Sequence, residues 1–362
     1  MKIFKLGDVC LLSKGKTITR ATSNEGEVPV IGGGLGPTYF HNIANRKPPV
    51  ITISASGANA GFVNYWNLPI WASDCTTIVE KSESPALIDY IFKYLQSRQD
   101  FINTELRRGS AQPHVYPSDI ADLEIPLPSL DRQREIVEKL DAAFAEIDLL
   151  EKNFALSEIK SNELLKSILN SEYSSPHLKI EPLEKLVDIL DNQRIPINAT
   201  ERLQRVGDVP YYGATGQVGT IDRAIFNETL LLLGEDGVPF FDQTKHKAYE
   251  ISGPSWVNNH AHVLRAKPGV VVQRYLLHFL NIFNYTGYVN GATRLKLTQG
   301  DMKRMPVPLP SLEVQAKIVS KIDLVFEQIG ELREQIGIKK ASATELRQSI
   351  LSNVFIQKET VA

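Results

Sequence analysis

Two stretches of the sequence place apolar residues at alternating steps of three and four, the repeat of a helix with a continuous apolar stripe. One stretch follows Pro128 and the other follows Pro310. The stripe positions are Ile136, Leu140, Ala143, Ile147, Leu150, Phe154, Leu164 and Ile168, and then Ile318, Ile322, Val325, Ile329, Leu332, Ile336, Leu346 and Ile350. Since no proline interrupts either stretch, the pattern predicts two helices of roughly 40 residues, each about 60 Å long.

A short proline-rich segment precedes each helix. Pro126 and Pro128 hold the chain extended, because proline fixes φ and keeps its predecessor out of the α region. Ser129 and Ser311 stand where each helix begins and are suited to cap it. The sequence therefore predicts a sharp change from extended chain to helix at both places.

The length of the helices predicts what covers their stripes. A shorter helix ordinarily buries its stripe against its own domain. A globular domain that ends before residue 126 cannot cover a rod of about 60 Å, so we predict that the two stripes bury each other in a coiled coil. Ser157, Ser161 and Lys339 are weak stripe positions, where we expect looser packing.

The chain contains an internal repeat. Residues 126–141 recur as residues 308–323 with 10 of 16 positions identical, and the offset of 182 residues continues without a gap through both helices. Upstream, landmarks keep their order while the residues between them differ. The paired landmarks include Val28-Pro29 with Val209-Pro210, Ser56-Gly57 with Asp236-Gly237, and Trp71 with Trp256. A kept scaffold with divergent loops is expected of two copies that bind different targets.

The region before each long helix has the pattern of an α+β domain. Short β-rich runs lie between glycine and proline turns. They occupy residues 50–54, 61–65 and 76–79 in the first copy, and 229–233 and 261–264 in the second. One helix follows the strands in each copy, near Pro85 and near Pro268.

Composition and charge narrow the class of protein. The chain of 362 residues, 43% hydrophobic and 23% charged, suits a folded protein of two or three domains. It has no membrane-length apolar run and no signal-peptide pattern, so we expect a cytoplasmic protein. The net charge of −2 argues mildly against a nucleic-acid partner. However, residues 126–176 hold 6 basic and 10 acidic residues, whereas residues 1–125 hold 12 of each, so the acidic excess lies in a helix.

The sequence lacks the motifs of catalysis. Cys10 and Cys75 have no metal-type spacing and favour neither a disulfide framework nor a zinc site. His260 and His262 lie on one face of a strand without an evident third ligand, and the glycines at 32–36 lack the strand-to-helix context of a nucleotide loop. We expect no catalytic residue, no metal and no cofactor in this chain.

Two polar loops in each copy are candidates for DNA binding. The candidate residues are Lys14, Lys16, Thr17 and Arg20, then Arg107, Arg108, Ser110 and Gln112, and in the second copy Gln193, Arg194, Arg202 and Arg205, then Thr293, Arg294 and Lys296. Arg, Lys and Gln read base edges in the major groove, and Ser, Thr and Lys contact phosphates. Each residue alone is equally well explained as solvated surface. The recurrence of both loops at matching positions favours binding.

These features resemble the specificity subunit of type I restriction-modification systems. The resemblance rests on the duplicated segments 125–130 and 307–312, on Gln133 and Gln315 with the Ile-Val heptads after them, and on residues 291–297 leading to Asp301. It covers essentially the whole chain. It implies two α+β target recognition domains joined by two long helices that form an antiparallel coiled coil, with an internal pseudo-twofold repeat.

The resemblance also implies boundaries and a division of work. Target recognition domains are expected at residues 1–124 and 176–306, helices at 125–175 and 307–356, and a tail at 357–362. Each domain would read one half of a bipartite double-stranded DNA target, and the coiled coil would set the spacing of the halves.

The same resemblance implies the partners. The helices would dock modification (methyltransferase) subunits, two of them, which carry S-adenosylmethionine, and restriction or translocase subunits with ATP and Mg would join. The residues expected in the coiled coil or at these partners are Gln133, Ile136, Leu140, Ile147, Leu150, Gln315, Ile318, Ile322, Ile329 and Leu332.

Two other functions remain open. A non-enzymatic scaffold could bind protein or carbohydrate through its two related domains, and salt-dependent binding to duplex DNA would distinguish the two. A methyltransferase or nuclease would need a site that the sequence does not reveal. The copies also differ in their second loop, where residues 109–114 align with residues 291–296 and the basic residues occupy different positions.

Overall fold

The computed structural model describes residues 2–109, 111–174, 178–242, 244–291 and 293–355. The chain divides into two compact units, Met1–Phe154 with Gly337–Ala362, and Ala155–Ile336. The first unit is thus built from two separate stretches of chain and the second from one. Within the described residues, no helix has the length and hydropathy that a membrane crossing requires.

The first unit contains a globular α+β part. Its elements are β1 (Lys2–Lys5), α1 (Leu6–Val9), β2 (Cys10–Lys14), β3 (Val28–Ile31), β4 (Pro37–His41), β5 (Val50–Ser54), β6 (Val63–Trp66), β7 (Trp71–Ala72), β8 (Cys75–Glu80), α2 (Ile88–Ser97), α3 (Gln99–Thr104), α4 (Pro117–Ala121) and β9 (Glu124–Leu127). One sheet has the order β2-β8-β5-β6 and another the order β4-β3-β7, in which β3 and β7 are parallel. The three predicted runs of the first copy are confirmed as β5, β6 and β8.

The second unit repeats this topology. The long helix α5 (Leu130–Tyr173) precedes its globular part. The elements of that part are β10 (Ile180–Pro182), β11 (Val187–Ile189), α6 (Ala199–Gln204), β12 (Val209–Tyr212), β13 (Gln217–Ile221), β14 (Phe226–Asn227), β15 (Leu230–Gly234), β16 (Ala248–Ile251), β17 (Pro254–Val257), β18 (Ala261–Ala266), α7 (Gln273–Ile282), β19 (Val289–Asn290), β20 (Lys296–Leu297), α8 (Gln299–Lys303) and β21 (Pro306–Pro308). Its sheets have the orders β11-β18-β15-β16 and β13-β12-β17-β14, with β12 parallel to β17. The internal repeat therefore holds at the level of strand order, even where residues differ.

The proline-rich segments pair with the first strand of each globular part. β1 runs antiparallel to β9, with Lys2 opposite Leu127, and β10 runs antiparallel to β21, with Ile180 opposite Pro308. The extended conformation predicted from the prolines is confirmed. Because these strands belong to the sheet pairing, each globular part extends a few residues past the expected ends at 124 and 306.

The two long helices begin where the capping serines predict. They are α5 (Leu130–Tyr173) and α9 (Leu312–Phe355). The hydroxyls of Ser129 and Ser311 accept hydrogen bonds at 3.4 Å from the N–H groups of Arg132 and Val314. Each cap thus satisfies a backbone donor of the first helical turn that has no partner within the helix.

The long helices pack against each other in opposite directions. In the first unit, Arg347 of α9 forms an ion pair with Asp148 of α5. In the second unit, Lys321 near the start of α9 forms an ion pair with Glu172 near the end of α5. Within each unit, the residues of α9 and α5 that pair therefore run in opposite directions along the two helices, which confirms the antiparallel coiled coil.

The apolar stripe differs from its prediction from the middle of each helix towards its C-terminal end. Ile136, Leu140, Ile147, Ile318, Ile322 and Ile329 are buried as expected. Leu150 and Leu332, however, are 48% and 40% exposed, and Leu164 and Leu346 also face solvent. Small residues, Ser161 and Ala343, are buried instead. The buried positions of each helix continue through these small residues at a spacing of 3.5 residues, so the leucines beside them are left exposed to solvent.

Aromatic contacts join the end of α9 to the core of the first unit. The ring of Phe355 lies 5.4 Å from that of Tyr90 and 5.6 Å from that of Tyr94, both on α2. The Tyr90 hydroxyl donates to the Pro126 carbonyl at 2.7 Å. The core of the first unit therefore includes residues from both of the stretches of chain that build it.

Candidate nucleic-acid interface

The first polar loop of the first unit follows β2 and is held by its backbone. The Trp71 indole N–H donates to the Lys16 carbonyl at 2.8 Å, and the Lys16 N–H donates to the Ala72 carbonyl at 2.9 Å. Gly15 is required here, because a Cβ would lie 2.0 Å from the Ser73 carbonyl oxygen. The predicted side chains of this loop are all exposed, namely Lys14, Lys16, Thr17 and Arg20.

The second polar loop of the first unit is closed by backbone pairing of Arg108 with His114, at 2.9 and 2.8 Å. The Arg108 guanidinium forms an ion pair with Asp119 at 2.9 Å, and Arg107 donates to the Ala58 carbonyl at 3.2 Å. Gln112 is exposed. Ser110, also a candidate, lies outside the described residues.

The two loops of the first unit meet at a cleft of about 200 Å³. Lys14 and Thr17 line it from the first loop, and His114 and Tyr116 line it from the end of the second. Asp74, which accepts a hydrogen bond from Ser56, lies at the same cleft. The fold therefore brings together two segments that are about 90 residues apart in sequence.

The first loop of the second unit is anchored in the same way, since the Trp256 indole N–H donates to the Ile195 carbonyl at 3.0 Å. Gln193 is exposed. Arg194 differs from the expectation of a DNA contact, because its side chain is only 14% exposed. It donates to Glu235 at 2.8 Å and to the Ala261 carbonyl at 2.7 Å, so its charge is neutralised inside the unit.

The remaining arginines of this loop lie on aromatic rings. Arg202 stacks 4.9 Å from the centre of the Tyr211 ring, and Arg205 stacks 4.5 Å from that of Trp256. Arg205 also pairs with Asp222 at 2.6 Å, and this hydrogen bond raises the pKa of the guanidinium. These arginines brace the loop, and most of the Arg205 side chain is covered.

The second loop of the second unit presents its basic residues to solvent. Thr293 is exposed. Arg294 is 61% exposed and pairs with Asp236 at 2.7 Å, and Lys296 is 52% exposed and pairs with Glu235 at 3.0 Å. The two acidic residues were missed by sequence reasoning. The alignment of Asp236-Gly237 with Ser56-Gly57 marked their loop but gave no sign of their partners.

A buried hydrogen-bond cluster joins the bases of the two loops in the second unit. The His262 ring contacts Asp191 at 2.7 Å through Nδ1 and the Leu297 carbonyl at 2.9 Å through Nε2. Asp191 also accepts from the Val263 N–H and from the Gln299 amide. Burial alone would raise the pKa of Asp191, but its hydrogen bonds, led by His262, bring that pKa below its ordinary value.

Both predicted glutamines lie inside their own units. Gln133 donates to the carbonyls of Pro85 and Pro128 at 2.7 and 2.9 Å and accepts from the Leu87 N–H at 2.9 Å. Gln315 accepts from the Val272 N–H at 2.8 Å and is likewise fully buried. The expectation that they meet the coiled coil or a partner is therefore corrected: their amides fix the start of each helix to its globular part.

The described part of the chain contains no group of three or more His, Cys, Asp or Glu residues arranged to hold a metal ion. Burial raises the pKa of the Cys10 and Cys75 thiols to about 12, so neither is a thiolate at neutral pH. The exposed candidate side chains of both units instead carry hydrogen-bonding groups and charges.

Comparison with protein families identifies a match over most of the chain. The family model described as "Type I restriction modification DNA specificity domain" matches residues 1–159 and 179–340. These two matches correspond to the two copies of the internal repeat.

Similar sequences include proteins named as specificity subunits. The type I restriction enzyme EcoDI specificity subunit of Escherichia coli is 23% identical, and the alignment covers 98% of this chain and 87% of that protein. The Haemophilus influenzae protein named type I restriction enzyme specificity subunit S.HindORF215P is 29% identical over 161 residues. That alignment spans 44% of this chain and only 40% of the H. influenzae protein.

Solved structures share the fold. A chain from a study of complex assembly and conformational transition of the type I R-M system superposes with a TM-score of 0.71 at 18% identity, covering 97% of this chain and 96% of that one. The HsdS subunit from Thermoanaerobacter tengcongensis gives a TM-score of 0.58 at 18% identity, covering 98% and 96%.

Proposed function

This chain belongs to the type I restriction modification DNA specificity domain family, and from this premise we propose that each of its two units reads one half of a bipartite duplex DNA target. The observation that carries the proposal is the pair of loops in each unit. A tryptophan fixes the first loop in both copies, through Lys16 in one and Ile195 in the other. The scaffold is shared while the exposed side chains differ, as two readers of different sequences require.

In the proposed DNA-binding surface, positive charge is concentrated near the loops. The net charge of −2 gives no overall attraction to DNA. Exposed lysines such as Lys14, Lys16 and Lys296 are instead gathered in or next to these loops. Affinity for phosphates then comes partly from these loops and partly from the proteins that assemble with the chain.

The long helices are the proposed frame for partners and for spacing. Leu150 and Leu332 occupy equivalent positions of the repeat, 182 residues apart, and both are exposed. Repeated apolar positions suit two copies of one partner, which we identify with the modification subunit. In this proposal the modification subunits carry S-adenosylmethionine, restriction subunits carry ATP and Mg, and the complex acts in the cytoplasm. The chain itself contributes recognition, not catalysis.

The experiment is DNA selection with the assembled complex. The chain and its modification subunits are incubated with a pool of random duplexes, and bound sequences are read. We expect two short motifs separated by a spacer of fixed length, with affinity that falls steeply as salt rises. Methylation should require the modification subunits.

Two results would contradict the proposal. Binding that shows no salt dependence and no motif would favour a scaffold for protein or carbohydrate. Methylation by the purified chain alone would show that it holds a catalytic site of its own.

A further inference from the structure

A charged cluster lies on the outer loops of the second unit. Asp236 Oδ1 accepts a hydrogen bond from Arg294 Nη2 at 2.7 Å and contacts His260 Nδ1 at 2.8 Å. The Asp236 carboxylate is largely buried, whereas 61% of the Arg294 side chain is exposed. The cluster therefore has a fixed inner carboxylate and an outward guanidinium.

Backbone hydrogen bonds hold the loops of this cluster together. The Glu235 N–H donates to the His260 carbonyl at 2.8 Å, and the Leu297 N–H donates to the Glu235 carbonyl at 2.8 Å. Lys296 adds an ion pair to Glu235 at 3.0 Å. Three loops are thus joined, so Arg294 is presented from a rigid base and loses less side-chain freedom when it binds.

The Arg294 guanidinium retains donors for a second acceptor. Arginine has five N–H donors in a planar fork, and Asp236 uses one of them. Gly237 lies below, with φ of +68°, and a Cβ there would be 3.8 Å from Arg294 Nη2. Arg294 Nη2 also lies 3.4 Å from His260 Nδ1. Because 61% of the Arg294 side chain is exposed, its remaining N–H donors can meet a group with two adjacent acceptors.

A base edge suits this arrangement better than a phosphate. Asp236 places a carboxylate directly beside Arg294, and this carboxylate would repel a phosphate at the guanidinium but not a neutral base. Guanine presents the adjacent acceptors O6 and N7 in the major groove, and bidentate contact from arginine to this pair is the commonest specific contact.

The internal repeat supports a role in specificity. The residue equivalent to Arg294 in the first copy is Gln112, 182 positions earlier, and Ser56 stands where the second copy has Asp236. A contact to the DNA backbone would serve both copies equally. The arginine and its carboxylate occur together in one copy only, as expected of residues that choose a base.

We propose that Arg294, oriented by Asp236, reads a guanine in the half of the DNA target bound by the second unit. This inference rests on the proposed function. It assigns Arg294 as a specificity-determining residue and Asp236 as a positioning residue.

The test compares selected motifs for complexes that contain wild-type chain, Arg294→Gln, Arg294→Lys and Asp236→Asn. We expect one guanine of one half-site to lose its preference in Arg294→Gln, by roughly ten- to a hundredfold. The lysine variant should keep affinity but discriminate less, and Asp236→Asn should lie between it and wild type. The other half-site and the spacer should not change.

Two controls make the outcome specific. Arg274→Gln removes another exposed arginine paired with one aspartate, Asp323, and should leave the motif unchanged. Replacing the selected guanine by 7-deazaguanine removes N7, and should weaken wild type but not Arg294→Gln. Equal melting temperatures of the variants exclude unfolding as the cause.

The outcomes separate the two proposals. If the wild-type complex selects no motif, the proposed function and this inference both fall. If it selects a bipartite motif that Arg294→Gln preserves, only this inference falls. A uniform loss of affinity with an unchanged motif would make Arg294 a phosphate contact and also overturn it.

Discussion

At the scale of single residues, the buried amides at the helix starts connect sequence most directly to architecture. Gln133 and Gln315 each satisfy a backbone donor and a backbone acceptor of a neighbouring loop while lying in the first turn of a long helix. A side chain with both N–H donors and a carbonyl acceptor is needed for this. Their position in the repeat was evident from the sequence, but each also contacts a loop more than 40 residues away, which the sequence does not reveal.

Gln315→Ala should destabilise the second unit by about 1–3 kcal/mol, because the Val272 N–H and the Pro310 carbonyl lose a buried partner. Urea unfolding measures the change. Gln328→Ala, on an exposed part of the same helix, should alter stability by less than about 0.5 kcal/mol. Equal effects of the two variants would show that the buried amide contributes nothing specific.

Asp191 provides a pH-dependent prediction. Its pKa in the folded chain lies below the ordinary value of 3.8, so its carboxylate stabilises the fold fully above that value. This contribution is lost as the pH falls through the lowered pKa. Asp191→Asn should therefore be least stable relative to wild type at neutral pH, and the difference should shrink below pH 3.8. Unfolding measured across this range gives the test.

The matched control for Asp191 is Asp208→Asn, an exposed aspartate of the same unit. It should show a small difference at every pH. A stability gap for Asp191→Asn that stays constant down to strongly acidic conditions would contradict the role given to the carboxylate.

Charged residues show why the candidate site was only partly predictable. Exposure of Lys14 and Lys16 followed from their place in a polar turn. Arg194 looked equally suited to DNA, but its counterion Glu235 is 41 residues away and meets it only through the sheet. Composition identifies a basic loop, whereas the folded topology decides which charges remain available.

At the scale of elements, the apolar spacing predicts the extent of the long helices better than it predicts which of their faces is buried. The spacing gave the length, start and pairing of α5 and α9. It did not decide between adjacent apolar positions, because leucines on either side of a seam fit the same periodicity. Burial of Ser161 and exposure of Leu150 depend on the opposing helix.

Buried and exposed leucines of the two long helices should respond differently to substitution. Leu140→Ala, at a fully buried position, should cost about 2–5 kcal/mol of stability. Leu150→Glu and Leu332→Glu should leave the melting temperature nearly unchanged but weaken binding of the modification subunit. Co-purification of the subunits measures the second effect.

The control for these substitutions is Lys152→Glu, which lies about 200° around the helix from Leu150. It also changes charge on α5 but should not affect assembly. Normal assembly of both leucine variants would move the partner surface away from these residues.

At the scale of the whole molecule, the repeat allows both long helices to be shortened equally, which tests whether their length sets the spacing of the half-sites. Removing residues 155–161 together with residues 337–343 takes one heptad from equivalent places of α5 and α9. Each helix loses about 10 Å. If the helices set the spacing of the half-sites, the preferred spacer should shorten by about three base pairs. Motif selection with the variant complex measures it.

A single-helix deletion is the control for spacing, because it breaks the antiparallel register and should reduce stability. A double deletion that folds normally and keeps the original spacer would show that spacing is set elsewhere, for example by the modification subunits.

The way the first unit is assembled has a consequence for synthesis of the protein. Phe355 completes the packing around Tyr90 and Tyr94, although the ribosome makes it some 260 residues later. The second unit is one continuous stretch, so every residue that it needs has emerged earlier. The copy encoded first therefore lacks part of its core until α9 has been synthesised, whereas all residues of the copy encoded second precede Gly337. A premature stop after Ile336 would accordingly damage the part of the protein that was made first.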